Sequence, residues 1–304
     1  MDMNRGDATD GTEQNDQTTW GIDMKSFGSF ARATLIATAA LAKVAVAGGI
    51  IPLDTTGPRP TAQLTIADAP SVTVIFDSGA GGAVLGSDIG QRHSLPNEGI
   101  VHIGSPGSSR TIQAQLSRLP TARLGDADVS GARVVVGDLG IPLPGISGVM
   151  SPNLFAGSLV RFELPKSRVV VAPKSPATIP AAPANPYSGT HPLPSIEVDV
   201  AGVKFSAHMD TGSGRGFSLP LEIADRVSLS APLTPTKPAK MAGGERKAFL
   251  SRINGIVRAG PITLANPEVT FIERLEYANV GFSILKDYVL VLDPAEKRSW
   301  LIKE

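Results

Sequence analysis

Hydrophobic residues in the first half of the chain come in short runs that predict β-strands. The runs at 72–76 and 134–136 are continuous, whereas hydrophobic and polar residues alternate at 63–66 and 111–116. Glycine, proline and aspartate residues separate these runs. Runs of this length, bounded by turn residues, are typical of strands rather than helices. We therefore expect an all-β architecture.

The second half of the chain repeats a motif of the first half. Residues 72–76 lead into Asp77-Ser78-Gly79, and residues 204–209 lead into Asp210-Thr211-Gly212, which stands 133 residues later. A β-prone run that ends in this way predicts a strand that delivers an aspartate into a tight turn, where glycine permits close approach of the backbone. Two such turns allow two aspartates to meet.

Matching features follow each motif along the chain. We expect a short helix at 89–95 and its counterpart at 223–229, because Ile, Arg, Ser and Leu recur at the same relative positions. Gly148 and Gly281 each lie 71 residues after the aspartate of their own half, which indicates equivalent glycines. Each half then closes with a predicted strand, turn and strand, at 160–171 and 291–302.

Composition and charge exclude several classes of function. The 304 residues have a formal net charge of zero and only 18% charged residues, so they indicate no basic surface for nucleic acid or an anionic membrane. Cysteine is absent, which excludes disulfides, thiolate nucleophiles and cysteine-based zinc sites. His93, His102 and His191 are scattered without the spacing of metal ligands. We therefore expect neither a metal nor another cofactor.

The chain divides into four predicted segments. Residues 1–49 are expected to be a disordered N-terminus that contains a signal peptide, 50–172 an N-terminal lobe and 195–304 a C-terminal lobe. Residues 173–194 contain seven prolines. Because proline cannot pair in the interior of a sheet, this segment predicts a semi-rigid extended linker between the lobes.

Residues 24–47 have the pattern of a secretory signal peptide. A basic stretch precedes the short apolar run 33–42, and 45–47 provides a small-x-small cleavage site. The run is shorter than the roughly 18 apolar residues that indicate a membrane span. We predict that the biological start is Met24, that cleavage falls near Ala47, and that the mature protein is periplasmic or secreted.

The paired motifs resemble those of the aspartic proteases, with retroviral-type lobes duplicated in one chain in a pepsin-like bilobal arrangement. The resemblance covers most of residues 60–304. It rests on Asp77-Ser78-Gly79 and Asp210-Thr211-Gly212, with Ile146-Ser147-Gly148 and Asn279-Val280-Gly281 in the place of the family's apolar-apolar-glycine element. It implies two similar β-barrel-like lobes with the active site at their interface, and a short helix after each Asp turn. A monomer with pseudo-twofold lobes is also implied.

The resemblance makes Asp77 and Asp210 the candidate catalytic residues. Two carboxylates a few ångströms apart share a proton, because both cannot ionise easily. The pair would then act jointly as general base and general acid on a bound water, with no metal and no covalent intermediate.

Five neighbouring residues have supporting roles by the same resemblance. Ser78 and Thr211 would hydrogen-bond across the pseudo-twofold axis and hold the two turns together. Gly79 and Gly212 would present backbone N–H groups to the carboxylates. The hydroxyl of Ser213 would bond the outer oxygen of the nearby aspartate in the second half.

Each lobe also has a candidate flap. Residues 100–112 and 240–250 each contain two β-like arms around a glycine-rich tip. Neither contains the tyrosine of the pepsin flap, which favours a two-flapped, retroviral-like arrangement. The candidate flap and substrate-cleft residues are His102, Ile103, Gly104, Gly243 and Gly244.

The function predicted in this way is that of an aspartic endopeptidase that hydrolyses peptide or protein substrates. The alternative is a catalytically inactive module with the acid-protease fold that binds peptides or envelope components. The stretch 76–82 also resembles the opening of the glutamate racemases, but those enzymes use two cysteines and this chain has none.

Overall fold

The computed structural model describes residues 48–104, 111–138, 144–189, 192–241 and 244–304. These residues form two nine-stranded sheets and one six-stranded sheet, with few and short helices. The prediction of an all-β protein is therefore confirmed. The predicted signal peptide at 24–47 lies outside the described residues. Within the described ranges, no helix has the length and apolar character needed to cross a membrane.

The strands are numbered along the chain. In the first half they are β1 (Gly49–Pro52), β2 (Thr61–Ile66), β3 (Val72–Phe76), β4 (Val84–Leu85), β5 (Gly99–Ile103), β6 (Ile112–Arg118), β7 (Ala122–Leu124), β8 (Ala127–Asp128), β9 (Arg133–Val136), β10 (Gly148–Met150), β11 (Ser158–Glu163) and β12 (Arg168–Pro173). In the second half they are β13 (Asn185–Pro186), β14 (Ser195–Val200), β15 (Val203–Asp210), β16 (Phe217–Pro220), β17 (Thr234–Met241), β18 (Gly244–Arg252), β19 (Ile256–Ala259), β20 (Ile262–Ala265), β21 (Glu268–Ile272), β22 (Ala278–Gly281), β23 (Val289–Asp293) and β24 (Arg298–Ile302).

The two nine-stranded sheets have the same topology. The first runs β5-β6-β9-β4-β10-β3-β2-β7-β8, and the second runs β17-β18-β21-β16-β22-β15-β14-β19-β20. Position by position, each strand of the first sheet has a counterpart in the second, including the parallel neighbours β3 and β10, matched by β15 and β22. The repeat predicted from the two Asp motifs is thus a repeat of whole lobes.

A short helix follows each Asp turn, as predicted. In the first lobe it is α1 (Ser87–Arg92), whereas in the second lobe it is a 3-10 helix at Leu221–Arg226. A second pair occupies matching places after β10 and β22, where the first lobe has a 3-10 helix at Pro152–Phe155 and the second has α2 (Phe282–Leu285). A further 3-10 turn lies at Leu164–Lys166.

The third sheet joins the two halves. Its order is β1-β12-β11-β23-β24-β13, so the closing hairpins of both halves pair with each other at β11 and β23. The core beneath β3 continues into this sheet, because Phe76 stacks on Phe162 at 5.0 Å between ring centroids. Burial of these aromatic rings fixes the end of the strand that carries the first Asp turn.

Two described parts of the proline-rich stretch at 173–194 lie in this joining sheet. Pro173 ends β12, and β13 pairs with β24 at the sheet's end. An edge position suits Pro186, because proline lacks an N–H for an interior ladder. The indole of Trp300 adds a contact by donating to the Ala182 carbonyl at 2.8 Å.

The inference that Gly148 and Gly281 are equivalent is wrong. The register of β15 and β22 places Gly281 beside Asp210, whereas β10 places Met150 beside Phe76. The residue after Met150, which is Ser151, therefore takes the place that Gly281 has in the second lobe. The two loops differ in length, so hydrogen-bond register and not equal sequence spacing decides which residues correspond.

Candidate active site

The structure brings the two predicted catalytic aspartates to one cleft between the lobes. Asp77 is the first residue after β3, and Asp210 is the last residue of β15. Both are half-buried and line the same cavity, whose volume is about 470 Å³. β3 and β15 thus deliver the two carboxyls to one cavity, which solvent and a ligand can reach.

Four reciprocal hydrogen bonds lock the two Asp turns together. The Ser78 hydroxyl donates to the Met209 carbonyl at 2.8 Å and accepts from the Thr211 N–H at 3.0 Å. The Thr211 hydroxyl donates to the Phe76 carbonyl at 3.0 Å and accepts from the Ser78 N–H at 3.0 Å. Both hydroxyl residues are buried, so each bond also satisfies a group that would otherwise be costly to remove from water. The arrangement fixes the aspartates relative to each other.

The glycines of the two turns lie against the carboxyls. The N–H groups of Gly79 and Gly212 both donate to Oδ1 of Asp77, at 2.7 Å and 3.1 Å. A β-carbon at Gly79 would lie 2.8 Å from Cγ of Asp210, and one at Gly212 would lie 2.2 Å from Oδ2 of Asp77. Only glycine permits this approach of each turn to the opposite carboxyl.

The carboxylate of Asp210 has different partners from those predicted. The expected bond from the Ser213 hydroxyl is wrong, because Ser213 contacts Asp210 through its backbone N–H, 2.9 Å from Oδ1. The side-chain amide of Asn279 donates to Oδ2 at 2.5 Å instead. Sequence reasoning missed this role, although Asn279 belongs to the Asn-Val-Gly element that it had singled out. The position beside Asp210 becomes visible only with the parallel pairing of β15 and β22.

Burial and a neighbouring negative charge both raise the pKa of Asp77. Protein atoms surround the carboxyl of Asp77, and this burial raises its pKa well above the ordinary value. The charge of Asp210 and a hydrogen bond with that residue raise the pKa further, while the N–H groups of Gly79 and Gly212 act in the opposite direction. Asp77 therefore keeps its proton at pH values where an ordinary aspartate has lost it.

The predicted flaps correspond to two hairpins. In the first, His102 and Ile103 end β5 and Gly104 follows, but none of these three residues lines the cavity. In the second hairpin, Lys240 and Met241 at the end of β17 do line it. Gly244 begins β18, and Gly243 lies outside the described residues, as does the first tip at 105–110.

Sequence reasoning also missed a basic residue that joins the lobes at the site. Arg59, from the loop before β2, donates from Nε to the Gly212 carbonyl at 2.5 Å and lines the cavity. The same loop packs on the second turn, because a β-carbon at Gly214 would lie 2.8 Å from the Pro58 carbonyl oxygen. No motif of the sequence signals these contacts, since they join segments more than 150 residues apart.

Two β-lobes that interlock a pair of Asp-Ser/Thr-Gly turns at their interface define the two-lobed acid-protease fold. The family model described as aspartyl protease matches the chain twice, at residues 62–154 and 196–285, and each match contains one Asp turn. Together the matches cover more than half of the sequence, so the chain belongs to the aspartyl protease family. This family of protease hydrolases implies a peptide or protein substrate. None of the curated proteins matches the chain.

Proposed function

We propose that the protein is an aspartic endopeptidase in which Asp77 and Asp210 together activate a water molecule. The observation that carries this proposal is the interlocking of the two turns through Ser78 and Thr211. That lock holds both carboxyls in one open cleft, whose cavity has a volume of about 470 Å³. Fixed geometry of the reacting groups is what general acid-base catalysis by a carboxyl pair requires.

Asp77 and Asp210 share one proton in this proposal, because burial and the charge of Asp210 raise the pKa of Asp77. When the cycle is written with the shared proton on Asp77, that residue donates it to the carbonyl oxygen of the substrate, and Asp210 takes a proton from the attacking water. The new C–O bond gives a tetrahedral diol. As the C–N bond breaks, the proton on Asp210 passes to the leaving amine, and a diol hydroxyl returns a proton to Asp77. The pair ends with one proton, as it began.

Cleavage in ¹⁸O-labelled water tests this proposal against the inactive binding module. A mixture of peptides with blocked termini is incubated with the protein at several pH values, and the products are read by mass spectrometry. We expect cuts at internal bonds and one ¹⁸O atom in each new carboxyl terminus, because hydrolysis takes that oxygen from solvent water. Peptides that bind but stay intact at every pH would contradict the enzyme and favour the binding module.

We also propose that residues 24–47 direct export and are removed. The first strand, β1, begins at Gly49 and pairs with β12, so cleavage near Ala47 leaves the joining sheet complete. N-terminal sequencing of protein recovered from the periplasm is expected to begin close to Gly48. Recovery of a periplasmic protein with Met1 intact would contradict the proposal.

A further inference from the structure

The two lobes present different side chains at matching places in the cleft wall. In the first lobe a row of paired residues crosses four strands, and all four are apolar: Val135, Val84, Val149 and Ile75. The corresponding row of the second lobe is polar throughout: Thr270, Ser218, Asn279 and His208. Paired residues on neighbouring strands point to the same face of a sheet, so each row forms one surface. Ile75 and Val149 of the first row, and Ser218 and Asn279 of the second, line the cavity, so the cleft has an apolar wall and a polar wall.

Two atoms of the polar wall lack hydrogen-bond partners. Ser218 is only 3% exposed, and its hydroxyl has no partner among the described residues. Asn279 uses its amide N–H on Asp210, but its side-chain oxygen is buried and unpaired in the same way. Both residues line the cavity. Buried polar groups are nearly always satisfied, so two unpaired atoms at one cleft wall point to a polar ligand group.

A guanidinium group lies at the same wall, because Arg215 contacts Thr270, which pairs with Ser218 in the sheet. Arg215 lines the cavity, with Nη1 3.4 Å from the Thr270 hydroxyl and Nη2 3.1 Å from the Lys237 carbonyl. Lys237 lines the cavity as well. In the ion pairs of the described ranges, neither Arg215 nor Lys237 has a carboxylate partner.

The first lobe has no charge at the position that matches Arg215. Counting back from the matched pair Val84 and Ser218, Gly81 stands where the second lobe has Arg215. At these two pairs of matched positions, the charge and the unpaired hydroxyl both belong to the Asp210 side. A half-buried guanidinium with no carboxylate partner is well suited to bind a planar carboxylate from a ligand.

We propose that the Asp210 side of the cleft is a specificity subsite for an acidic side chain of the substrate, glutamate or aspartate, and that the Asp77 side takes an apolar residue. Arg215 and the Ser218 hydroxyl donate to the substrate carboxylate, and Lys237 adds positive charge. The free oxygen of Asn279 accepts an N–H of the substrate backbone. The subsite deepens the proposed peptidase function and rests on it for the nature of the substrate.

Peptide binding tests the subsite without relying on turnover. The fluorescent peptides have acetylated and amidated ends. Each contains an apolar residue and one test residue, Glu or Gln, and the position of the test residue after the apolar residue is varied across the set. Binding to the Asp77→Asn protein at neutral pH is followed by fluorescence anisotropy. At one position, Glu is expected to bind about tenfold more tightly than Gln, because a charge-assisted hydrogen bond contributes at least that much.

Substitutions of Arg215 test whether this residue causes the preference for Glu over Gln. Arg215→Met is expected to abolish it and Arg215→Lys to retain part of it, while Arg258→Met, at an exposed position on β19, leaves it unchanged. Arg215→Glu is expected to favour Lys over Gln at the same position. Thermal unfolding of each variant establishes that it is folded, and the charge reversal keeps the test decisive if Arg215→Met is unstable.

The possible outcomes distinguish failure of the proposed subsite from failure of the proposed peptide cleavage. Equal binding of the Glu and Gln peptides, or a preference that survives Arg215→Met, would overturn the subsite even if the wild-type protein cleaves peptides. A parallel set of peptides with a free carboxyl terminus is included, and a preference that appears only in that set would overturn the assignment to a side chain. A preference that depends on Arg215 in a wild-type protein that cleaves nothing would support the subsite and contradict the proposed peptidase.

Discussion

Asp77→Asn is expected to lower kcat/KM for peptide hydrolysis on the order of 10³-fold, and Asp210→Asn by a similar factor. An amide cannot exchange a proton with the substrate carbonyl or with the attacking water, and general acid-base catalysis contributes factors of about 10²–10⁴. The geometry should survive, because the side-chain oxygen of an asparagine at position 77 can still accept from the Gly79 and Gly212 N–H groups. A quenched fluorescent peptide provides the assay.

The stability of Asp77→Asn is the control that separates lost chemistry from lost structure. Because the folded-state pKa of Asp77 is raised, the unfolded chain loses this proton first as the pH rises above 3.8, and the free energy of unfolding of the wild type falls over that window. Asparagine at position 77 does not titrate, so the variant lacks this fall of the unfolding free energy with pH. Thermal unfolding at neutral pH should therefore show the variant to be at least as stable as the wild type. A clearly lower melting temperature there would instead indicate a structural role for Asp77.

Gly212→Ala is expected to have the second-largest effect, on structure and activity together. The added β-carbon would lie 2.2 Å from Oδ2 and 2.4 Å from Cγ of Asp77, and the locked turns leave that carboxyl no room to withdraw. Overpacking of this kind costs about 1–3 kcal/mol of unfolding free energy. A displacement of the carboxyl by about 1 Å is expected to cost about 10²-fold in activity. Denaturant unfolding and the peptide assay measure the two losses.

Gly216→Ala is the matched control in the same loop. The nearest atoms to its added β-carbon are Cδ1 of Ile284 at 3.4 Å and the Ser283 hydroxyl at 3.5 Å, which are ordinary contacts. This variant should retain both stability and activity. If the two alanine variants behaved alike, or if Gly212→Ala stayed fully active, the close approach of the turns would not be what holds the carboxyls in place.

The fold could be predicted largely from local patterns. Short hydrophobic runs set the strands, and the Asp-Ser/Thr-Gly motif recurring after 133 residues indicated that the lobes repeat. The helix after each Asp turn was also visible, since the matching residues lie in continuous segments. Strand period, turn residues and spacing are all properties of neighbouring residues, so a sequence displays them directly.

The missed features all depend on contacts between distant segments. Asn279 reaches Asp210 because β22 runs parallel to β15, and the Gly148 error arose because register is not recorded in sequence spacing. Arg59 crosses from one lobe to the turn of the other. The polar wall around Ser218 appears only when the strands of the two sheets are matched. Strand pairing decides which of these residues lie together, and the hydrophobic pattern alone does not determine the pairing.

A comparison of the single and double Asn variants tests most directly whether the two halves of the chain build one site. The quantity measured is kcat/KM on one peptide for the wild type, Asp77→Asn, Asp210→Asn and the double variant. Residues that act as a unit have strongly non-additive effects, so the double variant is expected to lie within about threefold of either single variant. Losses that multiply, or a single variant with nearly wild-type activity, would contradict a shared carboxyl pair.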